Sequence, residues 1–298
     1  MWDRTPENVF STLTRSPKPS DGKYKFMPEL PEVETTKRGI QPFVENQFVK
    51  ELIVRTRTLR WPIPKGLNAK LAGYKIKSIS RRAKYLLFDC DNGWLINHLG
   101  MSGSLRVIDY PNLEAGKHDH FDIVLANGKI VRYRDPRKFG CLLWTRENPN
   151  EHPLLKRLGP EPLSEEFNGN YLYQKLRNRN APIKTQIMNN EIVTGVGNIY
   201  ANESLYRAGI RPNRRSNKIS QTRLQRLAVH IKETLREAIT LGGSTLRDFH
   251  QTDGSKGYFQ QSYKVYGRDG SECFACKSKI KNKTIGQRSS YYCVYCQR

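Results

Sequence analysis

Four cysteines near the end of the chain constrain its fold more than any other feature. Two residues separate Cys273 from Cys276, Cys293 and Cys296 repeat that spacing, and sixteen residues separate the pairs. Each pair forms a chelate loop short enough to present two thiolates to one ion. A hairpin that brings the loops together offers four sulfurs tetrahedrally, the donor set of a structural zinc site. Four sulfurs leave no open position for water, so the expected single Zn2+ holds the chain and the chemistry lies elsewhere. Two disulfides would be the alternative. The other cysteines, Cys90 and Cys141, are scattered, which fits a reducing, cytoplasmic setting better than a disulfide framework. Gln287-Arg288-Ser289 falls between the pairs, at the expected hairpin tip, where Arg288 reads as a solvated arginine or a phosphate contact.

Charge narrows the partners. Lysine and arginine number 51 against 28 acidic residues, a formal charge of +23. Such a surface seeks a polyanion, either nucleic acid or an anionic membrane. No apolar run of eighteen residues exists, so a membrane span is excluded. Residues 1–26 are polar, contain Pro6, Pro17 and Pro19, and lack the apolar core of a secretory signal. They read as a disordered extension or a misassigned start.

Periodicity divides the remainder. A helix is predicted from Pro31 to about Asn46, with Val33, Ile40 and Phe43 as its apolar stripe and a kink at Pro42. Between Phe48 and Trp144 the pattern becomes short β-rich runs, with turns at Asp91-Asn92-Gly93 and Asn127-Gly128. Consecutive hairpins without intervening helices predict an antiparallel sandwich. Pro149–Pro162 carries four prolines and reads as a hinge. Helical spacing follows in Phe167, Tyr171, Leu172 and Leu176, then Ile183, Ile187 and Met188, then Asn198–Ala208 stopping at Gly209, and last Gln221–Leu241. The expected fold class is α+β and multidomain: a 1–26 extension, a 27–150 helix plus β-sandwich, a 151–262 helical domain and a 263–298 zinc hairpin.

Several stretches carry chemistry. Pro31 and the acids around it form an ordinary helix entrance in Met27-Pro28-Glu29-Leu30-Pro31-Glu32-Val33-Glu34. If Met27 is the true start, its removal frees Pro28 as a secondary amine with a pKa near ~8, able to attack a sugar carbon. Glu29 would then be placed to move protons. Lys84 follows Arg81 and Arg82 in a cluster that suits phosphate. Gly195-Val196-Gly197-Asn198 precedes a helix, where backbone N–H groups attract anions, although such a sequence is often only a turn. Met101 and Phe139 sit in glycine turns; they are either core or apolar wedges that fill the void left by an extruded base. His118 and His120 form too weak a pair to argue for a metal.

These stretches together resemble the formamidopyrimidine-DNA glycosylase family. The resemblance rests on Met27–Ile40, Arg81–Leu87, His98–Leu105, Asp135-Pro136-Arg137-Lys138-Phe139-Gly140, Gly195–Ala201 and the cysteine quartet, in family order. It implies a helix–two-turn–helix element, a DNA glycosylase with abasic-site lyase activity, and oxidised purines in double-stranded damaged DNA as substrate. It assigns Pro28, Glu29, Lys84 and Arg288 to catalysis. It assigns Met101, His118, Arg137, Phe139, Arg179 and Asn198 to DNA, with Arg137 on the orphaned base. Arg179 stands where some relatives have lysine. No obligate protein partner is implied, and the expected state is a monomer. The loop Gly243–Tyr258 is expected to help select the base. The alternatives are the endonuclease VIII branch acting on oxidised pyrimidines, a lyase without glycosylase activity, and a non-enzymatic zinc DNA-binding protein.

Overall fold

The computed structural model describes residues 28–109, 111, 114–244 and 258–298. Met1–Met27 and positions 245–257, most of the loop expected to select the base, lie outside the described residues.

Helix α1, Leu30–Val44, begins with Pro31 in its first turn, and Glu29 N donates to Glu32 Oε2 at 2.9 Å. That is half of a capping box, and it fixes the entry of the helix. Val33, Ile40 and Val44 are buried, while Phe43 is 37% exposed with Lys129 Nζ 5.8 Å from its ring centroid. The predicted stripe therefore errs at Phe43. Residue 44, four positions after Ile40, continues the inward face, and residue 43 is rotated off it. The helix runs through Pro42, which sits in its last turn.

Eight antiparallel strands follow: β1 Gln47–Val54, β2 Lys75–Arg82, β3 Tyr85–Cys90, β4 Gly93–His98, β5 Ser104–Asp109, β6 Asp119–Leu125, β7 Lys129–Arg134 and β8 Cys141–Thr145. A short helix α2, Leu67–Leu71, lies between β1 and β2. The strand order is β5-β7-β6-β1-β2-β3-β4-β8. β1 pairs with β6 on one side and β2 on the other, with an irregularity between Val49 and Glu51. A bulge there bends the strand, so one strand serves both halves of the layer. The β3–β4 hairpin closes over Asp91 and Asn92, with Cys90 opposite Gly93. At the β6–β7 turn Gly128 has φ +77°, which a glycine adopts freely.

The second half is helical: α3 Gly169–Leu176, α4 Ile183–Ile187, α5 Asn198–Arg207 and α6 Gln221–Thr240. α6 buries Leu224, Leu227, Ala228, Ile231, Leu235 and Ala238, the face its spacing predicts. The chain ends in the hairpin β9 Lys281–Ile285 and β10 Arg288–Tyr292. One apolar cluster runs from Val33 and Ile40 through Phe88 and Tyr133 to Leu227 and Tyr291. The proline-rich segment expected as a hinge is tied down near its end. Glu161 accepts from Arg81 Nη1 at 2.7 Å, Arg82 Nη1 at 3.0 Å and Ala83 N at 2.6 Å. Among the described residues no helix is long and apolar enough to cross a membrane.

Candidate active site

The halves of the molecule meet at Glu29. Its carboxylate accepts from Gly197 N at 2.9 Å and Ile199 N at 3.0 Å, so it occupies the N-terminus of α5 from 168 and 170 residues away. Leu30 N donates to Gly195 O at 3.1 Å and completes the seam. The approach demands glycine. A Cβ on Gly197 would lie 2.2 Å from Glu29 Cδ, and Gly195, at φ +76°, would put one 2.6 Å from Leu30 Cδ1. The anion drawn to this helix start is thus a carboxylate of the same chain. The phosphate read from the glycines is replaced there, because Glu29 takes two of the free N–H groups. Asn198 remains half-buried beside it, and its Oδ1 accepts no hydrogen bond from the described residues.

Burial pushes the Glu29 carboxyl up to about 7; Lys84 opposes this, Glu32 adds to it, and the α5 N–H groups moderate it. Glu32 is fully buried and accepts from Glu29 N, from Tyr200 OH at 2.6 Å and from Ser244 N at 2.8 Å. Its carboxyl is also raised, again chiefly by burial. Lys84 follows Ala83, a left-handed position at φ +53°, which turns β2 into β3 and points the lysine inward. It is 8% exposed, and burial lowers its pKa against the pull of Glu29 and Glu32 and with the push of Arg288. Pro28 is buried at the mouth of the same seam. A carboxyl poised near neutrality, a desolvated lysine and a proline nitrogen position therefore lie together, a set suited to proton transfer and nucleophilic attack.

The terminal hairpin closes the site from the other side. Its turn, Gly286-Gln287, sits against α4: a Cβ on Gly286 would meet Thr185 Cγ2 at 2.6 Å. Lys184, fully buried on α4, donates from Nζ to Ser289 O at 2.8 Å and Ser290 Oγ at 2.7 Å. Burial lowers its pKa to about 7, with Glu29 opposing and Arg288 adding. Arg288 opens β10 opposite Ile285 and is exposed next to these groups. At the hairpin base the Sγ atoms of Cys273, Cys276, Cys293 and Cys296 lie within 4.8 Å of one another. The sulfurs of Cys273 and Cys296 are 3.8 Å apart, and those of Cys276 and Cys293 are 3.4 Å apart. Four sulfurs ~2.3 Å from one tetrahedral ion stand roughly 3.8 Å apart, whereas a disulfide needs about 2 Å. The quartet fits one metal ion and not two disulfides.

Residues 27–142 match the formamidopyrimidine-DNA glycosylase N-terminal domain, and residues 158–250 match the H2TH domain of the same enzymes. The chain belongs to the formamidopyrimidine-DNA glycosylase family. It is 54% identical over 273 residues to the formamidopyrimidine-DNA glycosylase of Hydrogenovibrio crunogenus, covering 91% of this chain and 97% of that one. The Idiomarina loihiensis enzyme is 51% identical, with 91% and 100% covered. Among solved structures, the Fpg protein of Thermus thermophilus superimposes with a TM-score of 0.81 at 37% identity, covering 91% of this chain and 98% of that one. Lactococcus lactis Fpg in complex with DNA containing N7-benzyl-Fapy-dG gives 0.84 at 33%, with 91% and 100% covered.

The remaining residues singled out in sequence are placed as follows in this glycosylase. Met101 and Phe139 lie half-buried in adjoining turns, and Arg137 Cζ stands 4.9 Å from the Phe139 ring centroid. His118 is half-buried just before β6, and its carbonyl accepts from Asp135 N at 3.0 Å. His120 Nε2 donates to Asp135 O at 2.7 Å. Arg179 is exposed after α3 and donates from Nε to Lys175 O at 3.1 Å. Sequence reasoning passed over Glu32, Lys184 and Asp135. Glu32 sits at the capping-box position, three residues after Glu29. Lys184 is a charge set between Ile183 and Ile187, and that break in an apolar face was its only local signal.

Proposed function

We propose that this glycosylase excises oxidised purines, 8-oxoguanine and formamidopyrimidines, from double-stranded DNA, and that Pro28 and Glu29 carry the reaction. The observation that bears the most weight is Glu29, a buried carboxyl near neutrality directly after Pro28 and clamped by the second half of the molecule. The active protein begins after Met27. This reading is supported by the family match starting at residue 27 and by relatives whose whole length aligns over 272 residues. The two matches, over 27–142 and 158–250, support separate amino-terminal and helical domains, which we place at 27–150 and 151–262, and the hairpin with its four cysteines makes up the remaining 263–298.

The freed Pro28 nitrogen attacks C1′. The bond from C1′ to the damaged base breaks, and the base leaves with a proton. Glu29 protonates the ring oxygen, the sugar opens, and a Pro28–C1′ iminium forms. The iminium acidifies the C2′ proton. Loss of that proton expels the 3′-phosphate, and loss of the C4′ proton in a second elimination expels the 5′-phosphate. Lys84, buried and desolvated, neutralises the phosphate near the lesion, and Arg288 assists the second elimination. Met101 and Phe139 fill the space vacated by the extruded nucleotide, Arg137 pairs with the widowed base, and His118, Arg179 and Asn198 hold the backbone. The four cysteines hold one structural zinc ion, which fixes the hairpin that carries Arg288. The enzyme acts as a monomer.

Borohydride trapping on duplex DNA containing 8-oxoguanine tests the proposal. The expected result is a covalent adduct that maps to the nitrogen of residue 28. Tight binding without an adduct would instead make the chain a DNA-binding protein. Cleavage of preformed abasic sites with 8-oxoguanine left intact would make it a lyase alone, and adducts on oxidised pyrimidines only would place it in the endonuclease VIII branch. The amino-terminal residue of active protein from its host checks the start: a mature chain retaining Met1–Phe26 would rule out Pro28 as nucleophile.

A further inference from the structure

The two turns that carry Met101 and Phe139 are built against one another through a single buried carboxylate. Asp135 is fully buried. Its Oδ1 accepts from Ser102 Oγ at 2.6 Å and from Arg137 N at 3.2 Å. Its Oδ2 accepts from Gly140 N at 2.9 Å and lies 3.0 Å from Tyr133 OH, which stands equally 3.0 Å from Leu99 O. Ser102 Oγ also accepts from Arg137 N at 3.3 Å. One carboxylate therefore reaches the residue after Met101, the backbone of Arg137 and the residue after Phe139. Charged acceptors make the stronger hydrogen bonds, and several on one group hold it rigidly.

The backbones interlock as well. A Cβ on Gly100 would lie 2.5 Å from Phe139 C and Gly140 N. A Cβ on Gly103 would lie 2.0 Å from Leu99 O, and one on Gly140 would lie 1.8 Å from Tyr133 OH. Lys138 holds a left-handed φ of +57° between Arg137 and Phe139, a conformation that costs a non-glycine residue energy and persists where its surroundings impose it. Tyr133 stacks on Phe121 at 4.8 Å and is fully buried, which roots the assembly in the sheet.

We infer that Asp135, with Ser102 and Tyr133, is the positioning hub that locks the Met101 and Phe139 turns into one rigid wedge, so that both apolar side chains and Arg137 enter the duplex as a unit. Asp135 touches no DNA in this scheme; it acts through the turns it holds. The inference rests on the wedge role proposed above. A rigid wedge spares the cost of ordering two loops at the moment a base leaves its stack.

The test compares two substrates for each protein: 8-oxoguanine paired in a duplex, and 8-oxoguanine inside an unpaired bubble, where no stack needs replacing. Asp135→Asn keeps the shape but turns an amide N–H₂ toward Gly140 N–H or Arg137 N–H, which releases one turn. Its excision rate on paired duplex is expected to fall roughly 10- to 100-fold relative to wild type. On the bubble it should stay within about threefold, since chemistry at Glu29 is untouched. Ser102→Ala retains the carboxylate, and a smaller loss with the same duplex-selective pattern is expected; it carries the test if Asp135→Asn does not fold. Equal slowing on both substrates, or none on either, would overturn the hub. Wild-type protein that cuts neither substrate would instead refute the proposed function, so the two failures are distinct.

Discussion

Glu29 and Glu34 stand five residues apart in one acidic stretch, and the structure drives them in opposite directions. Glu29 is buried with backbone N–H groups as its partners, and its carboxyl rises to about 7. Glu34, one turn into α1, meets Arg81 Nε at 2.9 Å, Arg38 Nε at 3.0 Å and Lys37 Nζ at 3.1 Å, and its carboxyl is held down to about 2. Burial acts upward on both, but only Glu34 has cations in direct contact. The contrast teaches that contact with a guanidinium, more than depth alone, decides whether a buried acid keeps a proton. The first residue is thereby prepared to exchange a proton near neutrality. The second is a permanent anion that ties α1 to β2, and through Arg81 to Glu161 at 2.7 Å.

The largest effect that sharpens this contrast is expected from Glu29→Gln. Base excision should fall by ~10²- to 10⁴-fold, while affinity for damaged duplex changes little in a filter-binding assay. Wild-type excision should also decline above pH 7, because a carboxyl raised to about 7 carries its proton below that pH and loses it above. That alkaline decline should be absent in the variant's residual activity. Full activity in Glu29→Gln would reduce Glu29 to a structural cap and erase the difference from Glu34.

A smaller effect is expected from Gly197→Ala, whose added carbon would sit 2.2 Å from Glu29 Cδ. Displacing the carboxylate toward water should slow excision roughly 10- to 100-fold and move the alkaline decline to lower pH, as burial is lost. An unmoved pH profile would separate the proton affinity of Glu29 from its seat on α5. The smallest effect belongs to Arg81→Ala, which strips a cation from Glu34 and Glu161. Denaturant unfolding should report a loss of about 1–3 kcal/mol at neutral pH. The folded pKa of Glu34 lies below its unfolded value, so its contribution is present above pH ~4.5 and is lost as pH falls toward 2. The acid decline of stability should therefore be shallower in Arg81→Ala, and the alkaline decline of excision should stay in place.

What could be read in the sequence was what depends on near neighbours. The cysteine spacing, the Asp91-Asn92-Gly93 and Asn127-Gly128 turns and the apolar face of Gln221–Thr240 are local signals, and each leads to the element found there. Phe43 misled because a helix stripe read over few turns is uncertain by one position. The site was legible where its motif is contiguous, as at Pro28-Glu29. Glu32 reaches Ser244 across 212 residues, and Lys184 reaches Ser290 across 106. Nothing in their own neighbourhoods announces those partners. The Gly195–Asn198 loop displays the gap most clearly: its glycines signal that an anion comes close, but not that the anion is Glu29.

The seat of Glu29 on α5 has a consequence for how its carboxyl holds a proton. The carboxyl owes its raised proton affinity to being enclosed between the sheet half and the helical half, and two of its partners belong to the far side. Were the halves to part, water would reach it, and it would revert to an ordinary acid, ionised at cellular pH. The raised proton affinity of Glu29 is therefore a property of the two halves joined and is carried by neither alone.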